Sequence, residues 1–445
     1  MRDDPARSAP ADAARGGRGR SLSALLIVLP LLAVPLSVIA NRGLVPFAVV
    51  LALVGLVAQF RGRWAVRYQV APLVPFAAVL AWGALSTVWS LDPEVSLQRW
   101  MKLVGHFLLG AVLLAAVNEG LATNAARAWA TRVALWGGAG ALAVLAAHAL
   151  TGGVFLVALG LTAPHPDPQI VRSATNPAAT VIAVFAAPAA LLLYRRHGAP
   201  AMLTALAVTA GVVVLFSESF AAKVGLGLAL AVGGLVLWQG RRTLRWLALL
   251  LVALVLVLPA LRLIDPAPFS LLRTAAADHG LTLPGSALHR TYIYDFVLGR
   301  IAERPLLGWG LGISRVLPGG RDHVPDPNLN NHEFLPLHPH NGVLEVWVEL
   351  GAVGALGFAA IVWLVLTAIR RRSADRGAAA ALAAAATAYM TIGMLAYGIW
   401  SSWWIATGIL AAAAAIGMLH PPLMRAATRR EEQRPADGPD HDRRW

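Results

Sequence analysis

The feature that most constrains this chain is an alternation: long apolar runs follow one another, and every second connection between them is basic. Twelve runs, near 22–40, 43–60, 70–88, 101–117, 130–150, 177–194, 201–216, 219–238, 244–262, 342–369, 378–396 and 401–419, approach the length of a membrane span. A helix needs about 20 mostly apolar residues to cross a hydrocarbon core of about 30 Å. With the N-terminal tail in the cytoplasm, the inward segments hold Arg2, Arg7, Arg15, Arg18 and Arg20, then Arg61–Arg67, Arg127–Arg132, Arg195–Arg196, Arg241–Arg245, Arg370–Arg376 and the C-terminal tail. Roughly two thirds of the 37 Lys and Arg residues fall there, as the positive-inside rule requires.

Apolar residues make up 58% of the 445 positions and charged ones 13%, too few to cover a soluble surface of this size. The reading is an all-α polytopic membrane protein with about twelve transmembrane helices. Its net charge of +14 then expresses topology, and no nucleic-acid partner is expected. The basic tail and first run imitate a signal peptide, with Val38-Ile39-Ala40 as a cleavage-like site, but a second run follows almost at once, so a retained anchor is expected. The chain divides into a cytoplasmic tail at 1–21, nine spans within 22–262, an outer loop at 263–341, three spans within 342–419, and a second cytoplasmic tail at 420–445. Both tails are rich in Arg, Pro, Asp and Glu and are expected to be disordered. The Ala-rich runs at 377–388 and 410–415 read as helix filler. The absence of cysteine excludes a thiol nucleophile, disulfides and thiolate metal ligands.

On the outer face, 263–341 is the largest segment, with smaller ones at 89–100 and 151–176. A loop of this length is uncommon unless it has a function. Within it, SALHRTYIYDFVLGRIAERPLLGWGLG predicts a helix with Ser286 as N-cap and an apolar stripe of Leu288, Tyr292, Ile293, Phe296, Val297 and Ile301. Pro305 ends it, and Gly308, Gly310 and Gly312 make a turn-rich exit. The expected pose lies on or near the outer leaflet, presenting Arg290, Arg300 and Arg304. Arginine binds phosphate through a planar fork of charged hydrogen bonds. Further cations are Arg172 in VRSATNPAATV and Lys223 in SESFAAK, the latter with Glu218 as its expected partner.

The loop closes on LHPHNGVLEVWVELGAVG (337–354), which sets His338, His340 and Asn341 at the mouth of a span and follows them with Glu345 and Glu349. A neutral imidazole takes a proton from a hydroxyl near neutral pH, and either histidine qualifies. The Asn341 amide is suited to orienting a sugar or diphosphate oxygen. His323, His332, His338 and His340, with Asp322 and Asp326, show no helical i, i+4 pair, so neither a metal nor another cofactor is expected.

The pattern H-N-x9-G-x-x-G, here His340, Asn341, Gly351 and Gly354, resembles the signature of the bacterial O-antigen ligase and polymerase superfamily. Arg290, Tyr294 and Pro305 with LLGWG resemble that family's R-x3-aromatic-x10-PLLGxG loop, and Arg172 with TNPAAT resembles its R-x-[SG]-x-x-NPN segment. WSLDPEVSL at 89–97 is similar to its first outer loop, and WSSWW at 400–404 to the ligase branch. The likeness runs through about 80–425. It implies a GT-C-like, metal-independent glycosyltransferase that moves O-antigen polysaccharide from undecaprenyl diphosphate onto lipid A–core at the periplasmic face of the inner membrane. His340 matches the family's essential loop histidine and Arg290 its loop arginine. Arg172, Lys223, Asn341 and Arg300 are the other expected donor-binding groups, with His338 beside the base. The chain departs from the family at Phe220, where a basic residue is usual, and in having no carboxylate within 378–419. Two alternatives remain. A periplasmic polymerase would use the same chemistry with a lipid-linked acceptor. A transporter would place several ionisable groups at mid-membrane, where Lys102, His106, His148 and Lys223 are the main exceptions to an apolar interior.

Overall fold

The computed structural model describes residues 26, 28–62, 73–118, 124–329 and 332–419. Both expected tails and the basic connection at 63–72 lie outside the described residues. The described chain is helical, and its one isolated β-bridge joins His323 to Glu333. The principal helices are α1 (Ala33–Ala40), α2 (Leu44–Gly62), α3 (Val74–Leu85), α4 (Pro93–Asn118), α5 (Asn124–Leu150), α6 (Asn176–His197) and α7 (Ala199–Phe216). They continue as α8 (Phe220–Gln239), α9 (Thr243–Val257), α10 (Ser270–Asp278), α11 (Gly285–Glu303), α12 (Gly342–Arg372), α13 (Arg376–Leu395) and α14 (Ser402–Leu419).

Among the described residues nine helical stretches are long and apolar enough to cross a membrane, against twelve expected. The difference arises in three places. Leu29–Val57 counts as one stretch, yet its backbone breaks at Ala40 (φ −157°, ψ 87°) and the chain folds back. A Cβ placed on Gly55 would lie 3.6 Å from Leu26, so the runs expected at 22–40 and 43–60 stand side by side. Val74–Val88 and Ser402–Ile416 are apolar but shorter than a full span.

Small residues decide which helices are central. The most apolar windows of Pro168–His197 and Arg376–Leu395 are 78% and 61% buried, against 11% for Ala199–Phe216. On α8, a Cβ on Gly225 would lie 2.7 Å from Ile392, and one on Gly233 would lie 3.4 Å from Ala384 of α13. Ala378, Ala379, Ala383, Ala384 and Ala388 are all buried. Lipid gives helices no hydrophobic reason to associate, so close backbone approach through Gly and Ala supplies the packing. The Ala-rich run at 377–388 is therefore the central interface and not filler.

Side-chain caps set the helix starts: Ser219 accepts from Ala222 N at 3.2 Å and Asp375 from Ala378 N at 2.7 Å. Gly198 (φ 82°) and Gly240 (φ 84°) close α6 and α8 in the left-handed region that glycine tolerates. Asp375 also pairs with Arg195 at 2.8 Å, and Arg376 donates to the Leu237 carbonyl at 3.3 Å. Three segments expected on the inward side thus meet at one end of the bundle. His148 is buried and binds the Val171 carbonyl through Nε2 at 2.9 Å while Leu156 N donates to its Nδ1 at 3.4 Å, which gives it a structural role.

The opposite end is closed by the long loop. Ile293, Val297, Leu298 and Ile301 of α11 pack on Trp309, Ile313, Leu317 and Leu335 and on Leu344 and Val348 at the start of α12. The apolar stripe of α11 is therefore spent on the protein itself. Its N-cap position is Pro284, without a side-chain cap, so Ser286 falls inside the first turn.

Gly225→Leu is expected to destabilise the protein by at least about 1–3 kcal/mol, the usual cost of overpacking. Gly227→Leu, two residues along the same helix with open space around its Cβ position, is expected to be near neutral. Thermal unfolding of the purified variants in one detergent compares them.

Candidate active site at the mouth of helix α12

A broken helix organises the site. α12 contains Gly351 at φ 63°, ψ −162°, so the helical ladder is interrupted in mid-course. The freed carbonyls are taken up from outside. Trp309 N donates to Val348 O at 2.9 Å, Gly310 N to Glu349 O at 2.9 Å, and the Trp82 indole to Leu350 O at 2.8 Å. In return Ala352 N donates to Pro305 O at 2.8 Å. The approach is close enough to require glycine on both sides: a Cβ on Gly351 would overlap Leu306 O, and one on Gly308 would overlap Glu349 O. A Cβ on Gly354 would collide with Leu350. The Pro305–Gly310 turn and the paired glycines of α12 are thus two halves of one joint.

The two glutamates complete it. Glu349 is 1% exposed and accepts from Gly312 N (2.6 Å), Ser314 N (3.3 Å), Ser314 Oγ (2.6 Å) and the Trp400 indole (2.7 Å). Glu345, also buried, accepts from Ile399 N at 2.7 Å. A buried carboxyl group is tolerated when it is hydrogen-bonded: Glu349 ties the loop and Trp400 to α12, and Glu345 ties the 398–400 turn to it.

On this joint stand the histidines. His340 has φ 52°, the one positive φ among the described non-glycine residues. Its conformation is held by three bonds. The Tyr294 hydroxyl donates to His340 O (3.3 Å), His340 N donates to His338 Nδ1 (3.1 Å), and His340 Nδ1 meets the Ala396 carbonyl (2.8 Å). A carbonyl only accepts, so Nδ1 carries the proton and Nε2 of the neutral ring keeps its lone pair. The two imidazoles lie 4.2 Å apart, centroid to centroid.

The electrostatics keep both rings neutral. Burial, then His340, then the guanidiniums of Arg315, Arg290 and Arg99, hold the His338 imidazole down to about 3. Burial also lowers His340; its bond to Ala396 opposes this, and Arg290 and His289 add to it. Burial pushes the Tyr294 hydroxyl up, against Arg290 and Asn341.

Of the residues expected to act together, the structure assembles Arg290, His338, His340 and Asn341. The Arg290 Nε is buried without a hydrogen-bond partner. Asn341 has a different task from the one expected: its Oδ1 caps α12 by accepting from Val343 N (3.0 Å) and Leu344 N (3.1 Å). Arg300 lies elsewhere, ten residues or about 15 Å along α11 from Arg290, paired with Glu303 at 2.9 Å and set over Phe296. Arg172 pairs with Glu218 at 3.3 Å, so Glu218 is not the partner of Lys223, which is half-buried at the start of α8. Further along α6, the Thr180 hydroxyl lies 3.5 Å from the Tyr397 hydroxyl. Nearby, the Asn176 Oδ1 is buried without a partner. Arg99 and Arg315 were not singled out from the sequence. Arg99 lies on the part of α4 that projects past the expected span and donates to Trp400 O at 3.4 Å.

Glu349→Ala would strand several buried donors and is expected to cost at least about 1–3 kcal/mol, with Glu349→Gln recovering part by accepting at one oxygen. Thermal unfolding measures both. A histidine held below its unfolded value contributes stability that is full above about 6.5 and drains away as pH falls toward about 3. Unfolding midpoints across that window are expected to fall, and to fall less in His338→Asn.

Residues 205–359 match the family model described as O-antigen ligase, a segment that includes Lys223, Arg290, His338, His340 and both motif glycines. A Rickettsia conorii protein named "Putative polysaccharide ligase" is 39% identical over 124 residues, covering 28% of this chain and 30% of its own. A Rickettsia prowazekii protein of the same description is 31% identical over 204 residues, covering 44% of this chain and 48% of its own. The chain thus spans less than half the length of these relatives. The segment that builds the broken helix and its two histidines is thus similar to the O-antigen ligase family model.

Proposed function

We propose that this protein transfers a polysaccharide from undecaprenyl diphosphate to a sugar hydroxyl of lipid A–core, at the periplasmic face of the bacterial inner membrane. The observation that carries this reading is an imidazole whose Nδ1 is bound to a carbonyl, leaving the Nε2 lone pair, within electrostatic reach of a guanidinium whose buried Nε lacks a partner. His340 Nε2 takes the proton of the acceptor hydroxyl as that oxygen forms its bond to the anomeric carbon. The bond from that carbon to the diphosphate oxygen breaks, and the leaving group departs with the electron pair. Arg290 receives the charge. A diphosphate is already a good leaving group, so a positioned base and charge stabilisation are the main requirements. The reaction described needs no metal or other cofactor.

Three further observations support it. The described basic segments near 195, 240 and 375 converge at one end of the bundle, and the histidines stand on the loop that covers the other. Read with the positive-inside rule, this arrangement supports a cytoplasmic side for the basic segments and both tails, and a periplasmic, catalytic 263–341 loop. Arg172, the unpartnered Asn176 oxygen and Lys223 are the further groups offered to the donor. The lightly buried outer helices offer apolar faces to membrane lipids and to the polyprenyl tail.

The test is reconstitution with a polyprenyl-linked polysaccharide and separate acceptors. Transfer to lipid A–core supports the ligase, whereas elongation on the carrier assigns a polymerase. His340→Ala is expected to lower transfer by about 10²–10⁴-fold with unchanged folding, and transfer at the wild-type rate would reject the base. Arg290→Lys is expected to be nearly as impaired as Arg290→Ala, because the planar fork is lost. Recovery by lysine would reduce Arg290 to a charge.

A further inference from the structure

Two histidines one residue apart raise the question of which is the base, and the bonds around them answer it. The nitrogen on each ring that carries its proton is fixed by a neighbour that can only accept or only donate. His340 Nδ1 faces the Ala396 carbonyl at 2.8 Å, which requires a proton on Nδ1 and leaves the lone pair on Nε2. His338 Nδ1 faces the backbone N–H of His340 at 3.1 Å, which requires a lone pair on Nδ1 and places the proton on Nε2. The neighbouring rings therefore hold opposite tautomers. The only unengaged lone pair of the two is on His340.

The bond to His338 has a second effect. It runs from a side-chain acceptor to the backbone N–H two residues on, the geometry of an Asx-turn, with Pro339 between them. It closes the turn just where His340 is left-handed, at φ 52°. A residue in that region persists only where its surroundings over-determine it.

We propose that His338 is a positioning residue and not a base: its Nδ1 holds the backbone of His340 in the left-handed conformation that aims the His340 ring. This deepens the ligase reading and rests on it for its catalytic meaning, but the arrangement of protons does not. The space beside His338 fits a fixed ring. A Cβ on Gly398 would lie 3.3 Å from His338 Cγ and 3.1 Å from Glu345 Oε1, so the turn after α13 packs directly against the imidazole.

Two experiments decide it. Asparagine at 338 can accept the same N–H through Oδ1 in an ordinary Asx-turn, yet an amide is no base. His338→Asn is expected to keep transfer within a few-fold of wild type, while His338→Ala loses about 10–100-fold through misplacement of His340. His340→Asn, which tolerates the left-handed backbone but lacks a base, is expected to be inactive. If His338→Asn is as inactive as His340→Asn, the 338 imidazole itself is needed and the proposal falls. Independently of activity, ¹⁵N spectra of histidine-labelled protein in lipid nanodiscs report each tautomer, with the signals of His338 and His340 picked out from the 12 histidines by their loss in the two Asn variants. A protonated Nδ1 on His340 and a protonated Nε2 on His338 are expected, and any other pattern overturns the proposal. If the wild type transfers nothing to lipid A–core, the ligase reading fails, and the spectra still decide the tautomers.

Discussion

The interaction on which the rest depends is the insertion of two backbone N–H groups, from Trp309 and Gly310, into a gap in helix α12. A membrane helix normally satisfies its own carbonyls, and a break is tolerated only where protein supplies the missing donors. Here the long loop between α9 and α12 does so, and one joint therefore fixes the loop to the bundle and both to the neighbouring turns. Glu349 tightens it with four hydrogen bonds from the loop and from Trp400. The histidine turn begins where α12 begins and inherits that rigidity.

With the joint in place, the electrostatics of the mouth become coherent. Guanidiniums at 99, 290 and 315 and burial of the rings act in the same direction on His338, disfavouring an added proton. A cationic surround of this kind disfavours a proton on the neighbouring imidazole and is hospitable to an anion.

Much of this was legible in the residues. The apolar runs and alternating basic segments outlined the helices, and the histidine turn, Arg290 and the motif glycines were visible by spacing. What spacing could not supply was direction. Arg300 shares a helix with Arg290 but pairs with Glu303, because ten residues of helix carry it to another part of the loop. Glu218 serves Arg172 and not Lys223, a choice made by tertiary placement. Asn341 looked like a ligand for substrate, yet its position at a helix start commits its oxygen to the cap. The alanines of α13 looked uninformative because their meaning lies in the glycines of a different helix, Gly225 and Gly233. Periodicity reports which face is apolar, while partners across the fold decide what a polar side chain does.

The left-handed backbone at His340 carries a last consequence. Glycine would relax the torsion at that position, but glycine has no ring, so ease of folding and reactivity cannot both be satisfied by one choice of residue. The tension is absorbed by the neighbours that bond to it, Tyr294, His338 and Ala396. A side chain of this kind is sustained less by its own preference than by the refusal of its surroundings to let it turn away.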